Sequence, residues 1–410
     1  MNETHGRKFP EGFYWGAATA SYQVEGGIEN CDWAEAARDG RVPPCGRACD
    51  HYNRYEEDFD IAKSLGHNAH RLSVEWARIE PEEGKFDEAA IAHYRKVLLA
   101  LRERGLKPYL TLWHFTLPLW FSKRGGFEWR GSPKVFARYA KYVTEQLGDL
   151  IEGISTMNEP MVFASNGWLR GTWPPFKRFS LIDHWAVAHP DLLFNKDAKE
   201  GFMPFFGYIR VIWNLVAAHK RAYKVIKKVN RSMDVSIVMH VILFHANNVF
   251  TNRLRAWFAN YHWTYWFMRA VRKQCNSIGI NYYIHKKYGD VATYRKTDMN
   301  WDIYPEGLYN ALMMLRHYKK PLFVSEAGIA DDDDSDRAQY IKDQVLAVWR
   351  AIQDGADVRG HMYWSLLDNY EWALGFEKRF GIVEIDYDTL ERKIRPSAYV
   401  YKEICESNSI

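Results

Sequence analysis

Two hydrophobic patterns alternate along the chain. In residues 53–65 the apolar side chains recur at helical spacing, at Tyr55, Phe59, Ala62 and Leu65. Residues 69–76 lack this spacing: Leu72, Val74 and Trp76 recur at every second position, which is typical of a strand. Because the two patterns follow each other repeatedly, we predict that strands and helices alternate over most of the chain.

Strand and helix predictions follow from this alternation. Strands are predicted at 13–19, 69–76, 108–114, after the apolar run 150–154 up to Glu159, and at 235–241, 278–283, 321–326 and 359–365. Helices are predicted at 53–65, 88–104, 134–148, 208–229, 253–274, 307–318, 335–354 and 396–407. The longest irregular part is 167–207, where we expect a loop with a short helix.

Eight strand–helix units define the expected fold. Strands that alternate with helices pair in parallel, and eight such units in a chain of 410 residues predict an α/β protein with a closed (β/α)8 TIM barrel. No Pro-, Gly- or Ser-rich linker and no shift in composition divides the chain. We therefore expect residues 1–410 to form a single domain.

Candidate chemistry lies at the predicted strand ends, because the active site of such a barrel is at the carboxyl ends of its strands. Glu159 ends the fourth strand and precedes Pro160, so we expect extended backbone at Glu159 and no continuation as a helix. Glu326 ends the seventh strand. Taken alone, Glu159 is equally typical of a surface loop. Two facing carboxyl groups, however, are what glycosidic bond hydrolysis requires.

Arg71, on the second strand, adds a cation to this set. A guanidinium beside one carboxylate lowers its pKa, while a carboxyl group without such a partner can keep the raised pKa of a general acid. The alternative is that Arg71 pairs with a structural acid such as Glu75. Other polar or aromatic residues at or just beyond strand ends are Gln23, His114, Asn158, Asn281, Tyr283, Trp364 and Glu371. His240 and His245 are weaker candidates.

Composition excludes several other classes of function. The net charge of +4 is small for this length and predicts no nucleic-acid surface; the pairs Lys227–Lys228 and Lys286–Lys287 are expected to be solvated. No apolar run is long enough to span a membrane, so we expect no membrane partner and a cytoplasmic location. Aromatic residues make up 16% of the chain, and their surplus suits stacking on sugar rings.

Metal and disulfide chemistry are not expected. The five cysteines have irregular spacing and no accompanying zinc ligands, which favours free thiols in a reducing compartment. The acidic run 331–334 lacks the spacing of a calcium loop and is expected to be a solvated turn before a helix. We therefore expect no cofactor and no bound metal.

Four stretches carry a family resemblance, which extends from about Phe9 to Glu406. They are, in chain order, FYWGAATASYQVEG at 13–26, TMNEP at 156–160, FVSEAG at 323–328 and YWSLLDNYEWALGFEKRFGIV at 363–383. In these motifs the chain resembles glycoside hydrolase family 1, the β-glucosidase and β-glycosidase family. The resemblance implies a retaining β-glycosidase that takes the terminal non-reducing sugar from a small-molecule β-glycoside or oligosaccharide.

The resemblance also implies a role for each matching residue. Glu326 would be the nucleophile and Glu159 the acid/base, and Tyr283 and Arg71 would hydrogen-bond the nucleophile. The sugar would be bound by Asn158 at its 2-hydroxyl, by a platform at Trp364, and at its other hydroxyls by Gln23, His114, Glu371 and Trp372. Retention of configuration implies that the two carboxyl groups lie roughly 5 Å apart.

Two positions refine the resemblance. Glu371 as an anion would repel a phosphate, which favours a neutral sugar over a 6-phosphosugar. Ala327 stands where the family usually has asparagine after the nucleophile. The preferred sugar stays open between β-glucoside and β-galactoside or β-fucoside, as does the oligomeric state. A sugar-binding pseudoenzyme on the same scaffold is the alternative from another class.

Overall fold

The carboxyl ends of eight parallel strands converge at one end of a closed barrel. The computed structural model describes residues 6–179, 199–201, 203–289 and 294–410. The barrel strands are β1 (Tyr14–Ala18), β2 (Ala69–Ser73), β3 (Lys107–Thr111), β4 (Gly153–Asn158), β5 (Asp234–His240), β6 (Ser277–Tyr282), β7 (Leu322–Ala327) and β8 (Val358–Trp364). Each pairs with its sequence neighbours, and β1 closes on β8. The (β/α)8 fold predicted from the alternating pattern is therefore confirmed.

Helices return the chain between successive strands. The longer ones are His51–Ser64, Glu88–Glu103, Ser132–Leu147, Met203–Val229, Phe250–Asn260, Glu306–Arg316, Arg337–Gln353 and Pro396–Ser407. Local chemistry sets their ends. The Asp87 side chain, for example, accepts hydrogen bonds from the backbone N–H of Ala89 (2.8 Å) and Ala90 (3.1 Å) and so caps the helix that starts at Glu88.

Several shorter helices surround the mouth of the barrel or extend the longer helices. They are Ser21–Val24, Asp32–Arg38, Trp76–Ile79, Leu119–Lys123, Pro160–Trp168 and Trp266–Val271, with 3-10 turns at Gly126–Glu128, Arg272–Gln274 and Trp372–Leu374. A π turn, Tyr261–Tyr265, joins Phe250–Asn260 to Trp266–Val271. The helix predicted at 253–274 is thus present, but it begins three residues earlier and contains this irregular turn.

Short strands lie outside the barrel. Leu243–Ala246 and His285–Tyr288 pair in parallel beyond the ends of β5 and β6, and Val383–Ile385 pairs with Arg392–Ile394. The loop expected at 167–207 contains the strand pair Lys177–Phe179 and Lys199–Gly201, and the helix Met203–Val229 begins within that range. The short helix predicted in this loop cannot be placed there, because 180–198 and 202 lie outside the described residues.

The acidic run is less solvated than predicted. Asp331 is buried, and its carboxylate accepts the backbone N–H of Asp336 (3.0 Å) and Arg337 (2.8 Å) at the start of a helix. Asp334 pairs with the buried Arg337 and accepts a hydrogen bond from the Ser397 hydroxyl (2.6 Å). Two of the four acids thus hold the start of that helix and the start of the C-terminal helix in place.

The five thiols are free and buried. Burial is the largest factor raising the pKa of each, and for Cys275 the result is about 12. They therefore pack as small apolar side chains rather than as reactive groups. Among the described residues, no helix combines the length and the apolar character that crossing a bilayer requires.

Candidate active site

Glu326 lies at the mouth of the barrel between a cation and a phenol. The Arg71 guanidinium on β2 donates a hydrogen bond to one carboxylate oxygen, and the Tyr283 hydroxyl donates to the other at 2.7 Å. Burial and the nearby Glu326 raise the pKa of Tyr283 well above its ordinary value, so the phenol keeps its proton. Each oxygen of Glu326 thus faces a donor from a different strand or loop.

The alternative pairing of Arg71 with Glu75 is wrong. The Glu75 carboxylate instead accepts the backbone N–H of Ala77 (3.0 Å) and the Thr116 hydroxyl (2.9 Å). The second guanidinium nitrogen of Arg71 donates to the Asn158 side-chain oxygen at 2.8 Å. The Arg71 guanidinium therefore contacts both Asn158 and Glu326 at the strand ends, as the hypothesis of two paired carboxyl groups requires.

Glu159 joins the same network through amides. The Asn281 side chain donates to Glu159 at 2.6 Å and to the Asn158 oxygen at 3.2 Å. A continuous chain of contacts thus runs from Glu159 through Asn281, Asn158 and Arg71 to Glu326. Burial, and next the negative charge of Glu326, raise the pKa of Glu159 well above its ordinary value. The two carboxyl groups therefore differ in their surroundings: Glu326 accepts from a guanidinium and a phenol, whereas Glu159 accepts from a neutral amide.

The backbone at Glu159 differs from the prediction. Its φ of 43° and ψ of 59° are left-handed rather than extended, and a helix, Pro160–Trp168, begins immediately after it. Proline suits the first position of a helix, where no backbone donor is needed. The N–H of Glu159 bonds to the carbonyl of Val238 on β5 at 3.0 Å, so a neighbouring strand stabilises this otherwise unfavourable conformation.

His114 is a neutral ring whose tautomer can be assigned. The Asn158 side-chain NH2, a donor only, lies 3.2 Å from Nε2, so Nε2 accepts and the proton is on Nδ1. Burial, and next the charge of Arg71, lower the pKa of His114 well below its ordinary value. Nδ1 is buried and has no hydrogen-bond partner among the described residues. This atom is therefore an available donor at the mouth.

Aromatic planes flank that imidazole. The ring of Trp364, the last residue of β8, lies 6.0 Å from His114 at an interplanar angle of 17°, and Trp372 lies 6.1 Å away at 12°. The two indoles and the imidazole thus form a cluster of near-parallel rings around a buried polar group, which we call the aromatic slot. A sugar ring, with apolar C–H faces and a polar edge, matches such a slot.

Gln23 and Glu371 lie beside this slot. The Gln23 amide nitrogen donates to the Asn369 side chain (2.9 Å) and to the Tyr370 carbonyl (2.8 Å), while its side-chain oxygen is buried without a described partner. Burial, and next the charge of Glu326, raise the pKa of Glu371 to about 8. Both causes favour the protonated carboxyl group near neutral pH, in contrast to the anion expected from the sequence.

Ala327 faces away from this network. It is fully buried in the main apolar core, whereas the preceding Glu326 points into the mouth, as alternation along a strand requires. The methyl group of Ala327, which stands where the family usually has asparagine, therefore lies in the apolar core next to Glu326 and not in the mouth.

Two further residues belong to the site. Asn281 was recognised only as a strand-end polar residue, yet it bridges Glu159 and Asn158. His240, a weaker candidate, ends β5 opposite Asn281, and neither of its buried ring nitrogens has a described partner. In the sequence, both residues are marked only by their position at a strand end, because contacts between different strands are not visible there. His245 instead hydrogen-bonds His285 at 2.7 Å.

Within the described ranges, no three His, Cys, Asp or Glu side chains come together as they would around a metal ion.

Comparison with known proteins assigns the family. The profile described as Glycosyl hydrolase family 1 matches residues 5–274 and 257–410. Beta-glucosidase A of Acetivibrio thermocellus is 32% identical, and the alignment covers 98% of each chain. A beta-galactosidase of Sulfolobus acidocaldarius is 30% identical over 98% of this chain and 96% of its own. The structure of a beta-glycosidase from Pyrococcus horikoshii matches with a TM-score of 0.87 and 36% identity, over 99% of this chain and 96% of that one. The chain therefore belongs to glycosyl hydrolase family 1.

Proposed function

We propose that this retaining β-glycosidase hydrolyses β-D-glucosides from the non-reducing end, with Glu326 as nucleophile and Glu159 as acid/base. One observation carries the assignment of roles. Glu326 is contacted by Arg71 and Tyr283, while Glu159 is contacted by a neutral amide and has a raised pKa. The first is suited to attack as an anion, and the second to give up a proton.

In the first step, the Glu326 carboxylate attacks the anomeric carbon while the bond to the aglycone oxygen breaks. Glu159 transfers its proton to that oxygen, so the aglycone leaves as a neutral alcohol and a glycosyl ester remains on Glu326. The electron pair of the broken bond stays on the departing oxygen. The anomeric configuration is inverted once.

The second step uses the same two residues, but Glu159 now accepts a proton instead of donating one. Ester formation removes the negative charge of Glu326, which is one of the causes that raise the pKa of Glu159. The pKa of Glu159 therefore falls at this stage, so that after giving up its proton it stays a carboxylate and can take a proton from water. The water oxygen attacks the anomeric carbon, Glu326 leaves as a carboxylate, and the second inversion restores the β configuration.

The buried atoms without described partners support the sugar-binding roles. The His114 Nδ1–H is available to donate and the Gln23 oxygen to accept, which suits two hydroxyls of one sugar ring. A protonated Glu371 can both donate and accept. Asn158 is oriented by Arg71 and Asn281 toward the 2-hydroxyl, Trp364 supplies the platform, and Trp372 completes the slot.

A neutral glucoside is the preferred substrate in this proposal. Three carboxyl groups, Glu159, Glu326 and Glu371, influence one another at the mouth, and Arg71 is already engaged by Glu326. Because Arg71 contacts both Glu326 and Asn158, its guanidinium is not available to hold a phosphate. β-Galactosides and β-fucosides differ from β-glucosides at or near O4 and O6, where Gln23, Glu371 and Trp372 would make the distinction.

We also propose that the chain forms one catalytic domain. Closure of β1, near the N-terminus, on β8, near the C-terminus, supports this because the barrel needs both ends of the chain. The family match over residues 5–274 and 257–410 agrees with it.

The test is hydrolysis of aryl β-glycosides of glucose, galactose, fucose and mannose, with kcat/KM compared across the set. We expect the glucoside to lead and proton NMR to show the β anomer as the first product. An α first product contradicts the double displacement. Sugar binding without turnover on every glycoside establishes the pseudoenzyme instead.

A further inference from the structure

Charge is distributed very unevenly along this chain. Residues 201–289 contain 14 lysines and arginines and a single carboxylate, Asp234. The remaining residues contain 41 lysines and arginines and 50 aspartates and glutamates, so the modest total of +4 hides a strongly cationic segment. Exposed cations of such a segment, among them Arg253 and Arg255, favour a partner with the opposite charge.

Exposed apolar side chains are concentrated in the same segment. Of eleven large apolar residues that are well exposed in the described structure, nine fall between residues 203 and 258. Eight of them define a surface that we call the apolar rim: Met203, Phe206, Trp213, Val249, Phe250, Leu254, Trp257 and Phe258. Met203 and Phe250 are 77% and 76% exposed, and Trp257 is 62% exposed. Such a cluster on a folded protein marks an interaction site.

The helix Phe250–Asn260 carries much of this rim as an outward stripe. Phe250, Leu254, Trp257 and Phe258 follow helical spacing and share one face, while Ala256 on the opposite side is buried. Arg253 and Arg255 flank the stripe, are exposed, and form no salt bridge with another described residue. An apolar stripe between free arginines is typical of helices that lie at a lipid–water interface.

The two helices of the rim are neighbours. Tyr208 hydrogen-bonds His262 (3.1 Å), and the Trp213 and Trp266 rings lie 6.0 Å apart. The helix Met203–Val229 therefore runs beside the continuation of Phe250–Asn260. Since the helices of a (β/α)8 barrel run antiparallel to its strands, both begin at the end where the strands stop. The rim thus borders the mouth.

We propose that the apolar rim binds the surface of an anionic lipid bilayer, with its aromatic side chains in the interface and its arginines at the lipid phosphates. Trp and Phe are favoured at that depth, and arginine there is attracted to anionic headgroups. The expectation of no membrane partner came from the absence of a spanning segment, and a surface contact needs none. This mode of binding brings the barrel mouth close to the bilayer.

A nucleic acid or a second copy of the chain fits less well. Nucleic acid binding is dominated by phosphate contacts and leaves Phe250 and Met203 unexplained. In a symmetric dimer the cationic segments would face each other, which costs free energy through like-charge repulsion.

The experiment is flotation of the whole protein with vesicles of phosphatidylcholine, with or without phosphatidylglycerol. We expect binding to the anionic vesicles and weakening as salt is raised, because exposed charges are screened. The double variant Phe250→Ser, Trp257→Ser should lose at least about tenfold in affinity, because two large apolar side chains no longer enter the lipid interface. Arg253→Gln with Arg255→Gln should lose about tenfold or more and depend less on salt.

The matched control is Leu99→Ser with Tyr399→Ser, which removes two exposed apolar side chains outside the segment. It should bind vesicles like wild type, and all variants should keep aryl glycosidase activity, which shows that they fold. Wild type that fails to float with anionic vesicles overturns the proposal. The proposal is also overturned if the protein binds DNA but not vesicles and the Phe250→Ser, Trp257→Ser variant keeps that DNA binding. A wild-type dimer that this variant converts to monomer, again without vesicle binding, assigns the rim to a second copy.

Discussion

The centre of the barrel mouth and the apolar rim beside it both depart from the usual pattern of burial. The centre buries ionisable side chains, whereas the rim exposes large apolar ones. In the centre, Arg71, Glu159 and Glu326 are buried although they are ionisable, and each is held by a partner. In the rim, Phe250 and Trp257 are exposed although they are large and apolar, and the neighbouring Arg253 has no ion-pair partner among the described residues. Burying charges and exposing apolar surface both cost free energy, and each departure here points to a ligand.

The two regions also differ in what they recognise. The centre presents a few fixed donors and acceptors, such as the His114 Nδ1–H, in a narrow slot between aromatic rings. The rim presents many equivalent contacts over an open surface, without fixed acceptors. The first suits one small molecule in one orientation, whereas the second suits an extended surface. The following predictions separate the two regions.

Removing the nucleophile should have the largest effect. Glu326→Ala eliminates the group that forms the glycosyl ester, so kcat should fall by about 10⁴-fold or more. Added azide should restore part of the turnover of an activated aryl glucoside and give the α-glycosyl azide, because attack then occurs once. Glu384→Ala, a half-exposed carboxylate far along the chain, is the control and should match wild type. If Glu326→Ala keeps the activity of wild type, the nucleophile is a different residue.

Removing the proton donor should have a smaller, substrate-dependent effect. Glu159→Gln should lower kcat/KM for an alkyl glucoside by about 10²–10⁴-fold, the usual contribution of general acid catalysis. An aryl glucoside with an acidic leaving group should suffer much less. In wild type, kcat/KM should fall at alkaline pH as Glu159, whose pKa is raised, loses its proton. If Glu159→Gln still shows this fall in kcat/KM at alkaline pH, Glu159 is not the proton donor.

Loss of one contact to the nucleophile should be intermediate. Tyr283→Phe removes the 2.7 Å hydrogen bond to Glu326 and keeps the ring. A hydrogen bond to a charged group is worth about 1.5–3 kcal/mol, so we expect roughly a 10- to 100-fold fall in kcat. Single-turnover kinetics locate the loss in formation or breakdown of the ester. Tyr318→Phe, an aromatic change outside the mouth, should leave kcat unchanged.

The coupling between the carboxyl groups predicts a shift in protonation. Burial is the main cause of the raised pKa of Glu159, and the charge of Glu326 is the next. Glu326→Gln removes that charge, so the pKa of Glu159 should fall while staying above its ordinary value. Carbon-13 NMR of the labelled carboxyl group measures this directly. An unchanged pKa shows that the two groups are too far apart for a double displacement.

The smallest expected effect is at Ala327. Restoring the family's asparagine there places an amide in a fully buried apolar layer, which costs about 1–3 kcal/mol without a hydrogen-bond partner. Ala327→Asn should therefore lower the thermal midpoint while kcat changes little, and Ala327→Ser should cost less. A marked change in kcat at unchanged stability indicates that this position affects the nucleophile.

The order of strands and helices, and with it the barrel, is predictable from the amino-acid sequence. The reason is that hydrophobic periodicity is local, and eight strand–helix units close only in this way. Position at a strand end also selected Glu159 and Glu326, since the fold brings all such ends together. Four motifs then assigned the family and a role for each residue.

The contacts between these residues could not be predicted, because they form between segments that meet only in the folded chain. Local rules placed Glu159 in extended backbone, but a hydrogen bond to Val238 on another strand holds it in the left-handed region. Arg71 could not be assigned to Glu326 over Glu75, nor could the bridging amide of Asn281 be found, because those contacts join strands far apart in sequence. The protonation of Glu371 likewise depends on burial and on Glu326. Periodicity reports which face of an element is buried, whereas partners, charge states and exposed surfaces depend on what the rest of the chain brings beside it.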